Sequence, residues 1–368
     1  MWPLTGCVPP GHRPQPTLRM GAKCRCTGSL AHLALVLLLT LLVGGCERGG
    51  APGVLETPHQ PLDGLLPAEL VIGLGDATDS IFFARISDAA FVGREHIAVL
   101  DEVPPYLRVF DKNGRLVGNY LEKGGGPGEA RRPYALAAND EGEMIVLHEG
   151  GATLLSVDRG FLGRVTLTEF IPQDVGFGCG GWVFYGAGRW RGASGERAWA
   201  RVVSIDSTEV TTIEESLYDT STPPIYSHKP GQAADAWVIH GRPESLQLHR
   251  ACDDAQTQPI PDRIMEDIHA MLWRPSMPEQ EMVIRAGDAV TTGFARLDTG
   301  VLMSLGIFNP GGTFDSFLVH FTPEGPRVGS SGRSLRLSDV GAGGELLLTF
   351  NAPVPHLRVV PHTALGLF

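Results

Sequence analysis

IAVLDEVPPYLRVFDKNGRLVGNY, running from Ile97 to Tyr120, holds three short strands in a row: IAVLD, LRVFD and RLVGNY. β-Branched and other apolar residues dominate each run, and turn residues separate them. Between the last two, Asp111-Lys112-Asn113-Gly114 places Asn-Gly where a two-residue hairpin turn wants positive φ. Such a unit cannot bury its apolar faces alone, so copies of it are expected along the chain.

Weaker copies recur. The second strand of each repeat reads IAVLD (97–101), MIVLH (144–148), WVFYG (182–186), WVIHG (237–241), VLMSL (301–305) and LLLTF (346–350). The third reads LRVFD (107–111), LLSVD (154–158), VVSID (202–206), LQLHR (246–250), LVHFT (318–322) and LRVVP (357–361). Asp111, Asp158 and Asp206 are 47 and 48 residues apart, the length of a four-stranded propeller blade. The pattern predicts an all-β chain: a six-bladed β-propeller of four-stranded antiparallel blades over 70–368, whose closure removes exposed sheet edges. A strand from 70–86, such as LVIGL or SIFFARI, is expected to pair into the last blade. A long β-solenoid is the rival, but it wants shorter and more regular repeats. One short helical insert is predicted near 262–273, where Ile264, Ile268, Met271 and Leu272 recur at helical spacing behind Asp262.

The first segment is read as an address. Leu30–Val43 is an apolar run of 14, short for a membrane span and right for a signal-peptide core. Arg13, Arg19, Lys23 and Arg25 precede it with no acidic residue, and Met20 offers an alternative start. The run ends in Val43-Gly44-Gly45-Cys46, which resembles a bacterial lipobox. That resemblance implies cleavage after residue 45 and diacylation of Cys46; an ordinary signal peptide with a chance Cys is the alternative. Residues 46–69, rich in Gly and Pro, read as a flexible tether. Loss of residues 1–45, with their four basic side chains, takes the formal charge from −11 to −15. So acidic a surface excludes nucleic acid as a partner and argues against charge-driven docking on anionic lipid. The bilayer is instead met through acylated Cys46. Cys7, Cys24 and Cys26 leave with the leader; Cys179 and Cys252 remain as a possible disulfide or as two separate thiols.

The linker YLEKGGGPGEARRPYALAANDEGEMIVLH, 120–148, carries Gly126-Pro127-Gly128-Glu129, then Pro133, then Asp140-Glu141-Gly142. In this order the motifs resemble the NHL-type or TolB-like six-bladed β-propellers, in particular bacterial lipoproteins of that class. Ala130 stands where that family usually has Phe, and the likeness is sharp only over about 95–165. It implies a propeller and an exported or lipid-anchored location, and no particular chemistry.

Candidate sites follow from these placements. Aligning second strands on their last polar residue gives Asp101, His148, Tyr185, His240, Ser304 and Thr349. Equivalent positions in a ring of blades converge on one channel mouth, so these six are candidate binding residues. His and Asp there also suit a divalent metal, the one cofactor considered. The bland alternative is that polarity simply returns as each strand meets its turn. Arg131 and Arg132 are candidate contacts for an anion, or loop residues bridging to a nearby acid. GGGPGE, 124–129, has the amides of an anion nest but lacks the Lys-Ser/Thr and helix of a phosphate loop, and fits a blade connection better. Trp182 and Trp237 occupy equivalent strand starts and read as packing between blades rather than sugar platforms. GxSxG, HExxH and GxGxxG with a following helix are absent. The expectation is therefore a non-enzymatic binding or interaction module for an unknown protein or small molecule, on the periplasmic side or surface of the envelope. Glu47 after the lipidated Cys favours the outer membrane by analogy with enteric sorting. The alternative is a lactonase- or lyase-like enzyme with a polar or metal site at the mouth.

Overall fold

Two short strands come first in the chain and find their partners near its end: β1 (His59–Pro61) and β2 (Leu70–Ile72). The computed structural model describes residues 59–62, 66–74, 81–166, 172, 174–178, 181–185, 197–206, 209–218, 226–227, 237–242, 245–250, 262–272, 289–308, 314–331 and 334–367. Among them the strands form six sheets.

Sheet 1 is β3 (Ile86–Val92), β4 (His96–Asp101), β5 (Leu107–Asp111) and β6 (Leu116–Lys123), with β7 (Glu129–Ala130) added parallel to β6. Sheet 2 is β8 (Ala135–Ala138), β9 (Glu143–His148), β10 (Gly151–Ser156) and β11 (Gly160–Val165). Sheet 3 is β12 (Asp174–Gly178), β13 (Gly181–Tyr185), β14 (Arg197–Asp206) and β15 (Glu209–Tyr218). Sheet 4 shows β16 (Tyr226–Ser227), β17 (Trp237–Arg242) and β18 (Ser245–Arg250). A helix, α1 (Asp262–Leu272), then precedes sheet 5: β19 (Ala289–Leu297), β20 (Gly300–Phe308), β21 (Phe314–Thr322) and β22 (Gly325–Ser331). Sheet 6 is β23 (Leu335–Val340), β24 (Leu346–Phe350) and β25 (His356–Val360), and a 3₁₀ helix, His362–Leu367, follows it.

Every run read from the sequence as a second or third strand falls on the second or third strand of its sheet. Sheet 6 is completed by β2, which pairs antiparallel with β25, Val71 opposite Arg358. The closing strand is thus the LVI of LVIGL. Neighbouring sheets touch through their first strands: β19 on β23, β23 on β3, β3 on β8 and β8 on β12. First strands therefore lie innermost and later strands step outward, the arrangement of propeller blades. Helix α1 packs on β18 and on β21 and β22, joining sheet 4 to sheet 5, with Ile264 and Ile268 buried as their spacing requires.

The core lies between sheets. Ile72, Ile86, Phe110, Leu347 and Leu357 fill the gap between sheets 6 and 1. Leu100, Leu121, Leu136 and Met144 fill that between sheets 1 and 2. Trp182, with Phe177 edge-to-face at 5.0 Å, belongs to the cluster between sheets 2 and 3, so it packs the core as expected.

Polar ties cross the same gaps. Asp88, with no solvent exposure, accepts the Ala89 amide (2.9 Å) and the Leu136 amide of sheet 2 (2.8 Å). Arg336 of sheet 6 stands 3.7 Å from it. Asp339 repeats the device one sheet earlier, accepting the Val340 and Phe91 amides at 2.8 Å each. Both aspartates sit where the register between first and second strands slips by a residue. The bulge turns the carboxylate toward the neighbouring sheet.

Two expectations need correction. The Asp111–Gly114 turn has positive φ at Gly114 (77°) but not at Asn113. The Asp111 carboxylate accepts the Asn113 and Arg115 amides (2.8 and 2.9 Å), and this Asx geometry leaves only the glycine left-handed. The Arg115 amide, ahead of the other contacts, also holds the Asp111 carboxyl below its usual range. Of the segment 46–69, expected as a tether, residues 59–62 and 66 are built into the fold. β1 runs parallel to β22, His59 opposite Val328, and Leu62 is buried against Gly329 with its amide bonded to the Ser330 carbonyl. Leu62 and Leu66 join the core of sheets 5 and 6, because apolar side chains flank what Gly and Pro content alone marks as loose.

Candidate functional site

Four of the six proposed mouth residues have described side chains, and each is buried and bonded locally. Asp101 accepts the Ala84 amide through both oxygens (3.2 and 3.1 Å) and the Arg85 amide (3.0 Å), and pairs with Arg108 at 3.0 Å. It fastens the strand entering sheet 1. His148 bonds the Glu149 carbonyl through Nδ1 (2.9 Å) and the Thr153 hydroxyl through Nε2 (3.0 Å). Burial, more than any neighbour, pushes its pKa down, so it is neutral at pH 7. The Ser304 hydroxyl accepts the Leu337 amide of sheet 6 at 2.9 Å. The Thr349 hydroxyl meets that of Ser338 at 3.0 Å. None of the four bonds to another.

The alignment behind the collar fails on register. Asp101 and His148 end their strands, whereas Ser304 lies inside β20 and Thr349 one residue short of the end of β24. Matching LRV of 107–109 with LRV of 357–359 makes Asn351, not Thr349, the counterpart of Asp101. Asn351 does the same work: it accepts the Ile86 amide (2.8 Å) and donates to the Ile86 carbonyl (3.0 Å). Tyr185 and His240 lie on β13 and β17, with side chains outside the described set; Cys46, Cys179 and Cys252 lie outside the described residues altogether.

The Gly-rich loop is a filled nest. Glu129 Oε2 accepts the Gly125 and Gly126 amides at 2.8 and 2.7 Å, so the chain supplies its own anion. Arg164 of sheet 2 donates to the carbonyls of Gly125 and Glu129, which makes the loop a connection between sheets. Arg132 pairs with Glu149 at 2.9 Å on an exposed surface, and Arg131 is exposed beside it. Arg132 is also the one described non-glycine residue with positive φ (47°).

Concave space lies elsewhere, at the far ends of the sheet 5 strands. A cavity of about 640 Å³ is bounded by the β19–β20 turn, the β21–β22 turn, α1 and the C-terminal 3₁₀ helix. This lies within the ~300–1,000 Å³ typical of small-molecule sites. Ile264, Leu297, Val301 and Leu365 give it apolar walls; Arg296, Arg327, Asp298 and Glu324 give it charge. His320 also lines it. Its Nε2 meets the Thr299 hydroxyl at 3.1 Å, and its Nδ1 is buried without a hydrogen-bond partner among the described residues. Burial leads Arg327 in lowering its pKa, so this ring is neutral too. The Thr322 hydroxyl, then the backbone, hold the Glu324 carboxyl below its usual range, with Arg327 and Arg263 adding to the effect. Sequence reading missed this site because its walls come from segments around 264, 300, 324 and 364 that no local pattern links.

Among the described residues, no three His, Cys, Asp or Glu side chains come together as a metal site, and no helix is long and apolar enough to cross a membrane. No protein-family profile matches the chain, and no curated protein aligns with it. Solved structures do resemble it. A protein of Bacteroides fragilis assigned as exported has 13% identity and a TM-score of 0.50 over 79% of this chain and 86% of its own. A streptogramin B lyase matches at 12% identity and TM-score 0.41, over 76% and 95%. A gluconolactonase of Xanthomonas campestris matches at 12% and 0.36, over 80% and 98%. At 13% identity the first of these speaks to architecture alone, and with the sheet arrangement above the chain is a β-propeller.

Proposed function

We propose that this protein is an exported, lipid-anchored propeller that binds a small molecule rather than transforming one, and that the cavity beside sheet 5 is its ligand site. The cavity carries the reading: it is large enough for a drug-sized ligand and sets apolar walls against a few polar groups, the usual composition of a binding pocket. The enzyme alternative placed its chemistry at the strand ends, where Asp101, His148, Ser304 and Thr349 are spent on ties within and between sheets. The lipid anchor rests on the apolar run and the Val43–Cys46 motif.

Gly366→Trp tests the ligand site. A side chain at this exposed, cavity-lining position meets nothing within 4 Å at its first carbon, so a tryptophan is accommodated at the edge of the cavity. Native mass spectrometry of protein purified from membranes is expected to show a bound small molecule on the wild type and none on the variant. Equal occupancy would move the site elsewhere. Palmitate labelling that persists in Cys46→Ser would overturn the anchor.

A further inference from the structure

We propose that Asn113 deamidates spontaneously, passing through a cyclic imide with Gly114 to aspartate and isoaspartate, and that Asp111 slows this reaction for as long as the hairpin is folded.

Sequence and exposure pick out the residue. Asn113 is the one asparagine of the chain followed by glycine. Attack on the side chain comes from the next residue's amide nitrogen, and glycine leaves that approach open because it has no Cβ. Asn113 is exposed, whereas Asn139 is buried and accepts the Glu141 and Glu143 amides, and Asn351 is tied to Ile86. Asn119 lies in β6 ahead of the bulky Tyr120, and Asn309 precedes Pro310, which has no N–H to lose.

Water is the only co-reactant. The Gly114 nitrogen gives its proton to water or hydroxide and bonds to Asn113 Cγ, and the side-chain nitrogen leaves as ammonia, taking a proton back. Water then opens the imide on one of its two sides. Opening at the side-chain carbonyl gives aspartate with the main chain restored. Opening at the main-chain carbonyl gives isoaspartate, with the main chain rerouted through Cβ.

The folded turn opposes the first step. The Gly114 N–H donates to the Asp111 carbonyl at 2.9 Å, so the proton that must leave is held. The Asp111 carboxylate fixes that turn by accepting the Asn113 and Arg115 amides at 2.8 and 2.9 Å, and it holds the Asn113 carboxamide as well. Gly114 also packs toward β2: a carbon added to it would stand 3.0 Å from Leu70 Cδ1. The attacking nitrogen and the carbon it must reach are both pinned, and attack waits for the hairpin to open.

That contact with β2 also carries the consequence. Isoaspartate lengthens the main chain by one carbon and sets a second carboxylate beside Asp111. The turn then shifts against Leu70, in the strand that completes sheet 6.

The test ages the full chain in mildly alkaline buffer, folded and in urea. Mass spectrometry of chymotryptic peptides reads loss of asparagine, and protein isoaspartyl methyltransferase labels the isoaspartate. Conversion is expected chiefly at residue 113, at least tenfold faster in urea than in the folded chain. Folded Asp111→Ala should convert at least threefold faster than folded wild type. Asp111→Asn keeps an oxygen to accept the amides and should stay near the wild-type rate. No conversion in urea, or conversion spread evenly over the asparagines, would overturn the site. Equal rates in folded wild type and Asp111→Ala would remove Asp111 as the guard. Amide exchange at Leu70–Ile72 is expected to quicken in aged wild type and not in Asn113→Gln aged beside it; unchanged exchange would refute the link to ring closure.

Discussion

Replacing Asp88 by alanine gives the sharpest test of how the ring holds together. Its carboxylate is fully buried, accepts one amide in its own strand and one from sheet 2, and faces Arg336 of sheet 6. Alanine leaves two buried amides without acceptor, and a hydrogen bond to a charged group is worth about 1.5–3 kcal/mol. The loss is therefore about 4 kcal/mol, in line with the ~3–5 kcal/mol for breaking a buried charged pair. Unfolding entropy of about 2.1 cal/mol/K per residue over roughly 300 residues gives about 0.6 kcal/mol per degree. Tm is then expected to drop by about 6 °C in calorimetry. Glu149→Gln, which breaks an exposed pair worth at most about 1 kcal/mol, is the control and should shift Tm by less than about 2 °C. Equal shifts in the two variants would show that the tie between sheets contributes nothing beyond a surface ion pair.

Other consequences follow from the same structure. His148 and His320 have pKa values depressed by burial, so just below pH 6.5 the unfolded chain takes up protons that the folded chain refuses. Stability is full above that pH and falls as pH drops through the window, by up to about 1.4 kcal/mol per pH unit per histidine. Melting from pH 7.5 to 5.5 should show that slope, and a His148→Gln, His320→Gln double variant should flatten it; an unchanged slope would acquit both rings. Leu62→Ala removes a side chain wedged against Gly329 and should cost about 2–4 kcal/mol in urea unfolding, whereas a true tether residue would cost nothing. Glu129→Ala empties the Gly125–Gly126 nest and should speed amide exchange at those two residues, with a stability loss of about 1–3 kcal/mol. Exchange as slow as in the wild type would show that the carboxylate is not what holds the loop.

Much of the architecture was legible in one dimension. Strands announce themselves through short apolar runs of β-branched residues, and the spacing of Asp111, Asp158 and Asp206 exposed their repetition. The helix at Asp262–Leu272 and the closing strand at Leu70–Ile72 were readable for the same reason: burial on one face imposes a period. Polarity at strand ends was legible but not its use. Whether Asp101 faces a channel or a neighbouring amide depends on which strand lies beside it, and a slip of one or two residues exchanges Thr349 for Asn351. Asp88 and Asp339 had a signal, a Ser-Asp pair repeated at 87–88 and 338–339, but its meaning appears only when the sheets pack. The cavity was illegible altogether, since Ile264, Gly300, Glu324 and Leu365 meet only after α1, two turns of sheet 5 and the C-terminal 3₁₀ helix have converged. Local pattern fixes what a residue can bury; long-range closure fixes what it touches.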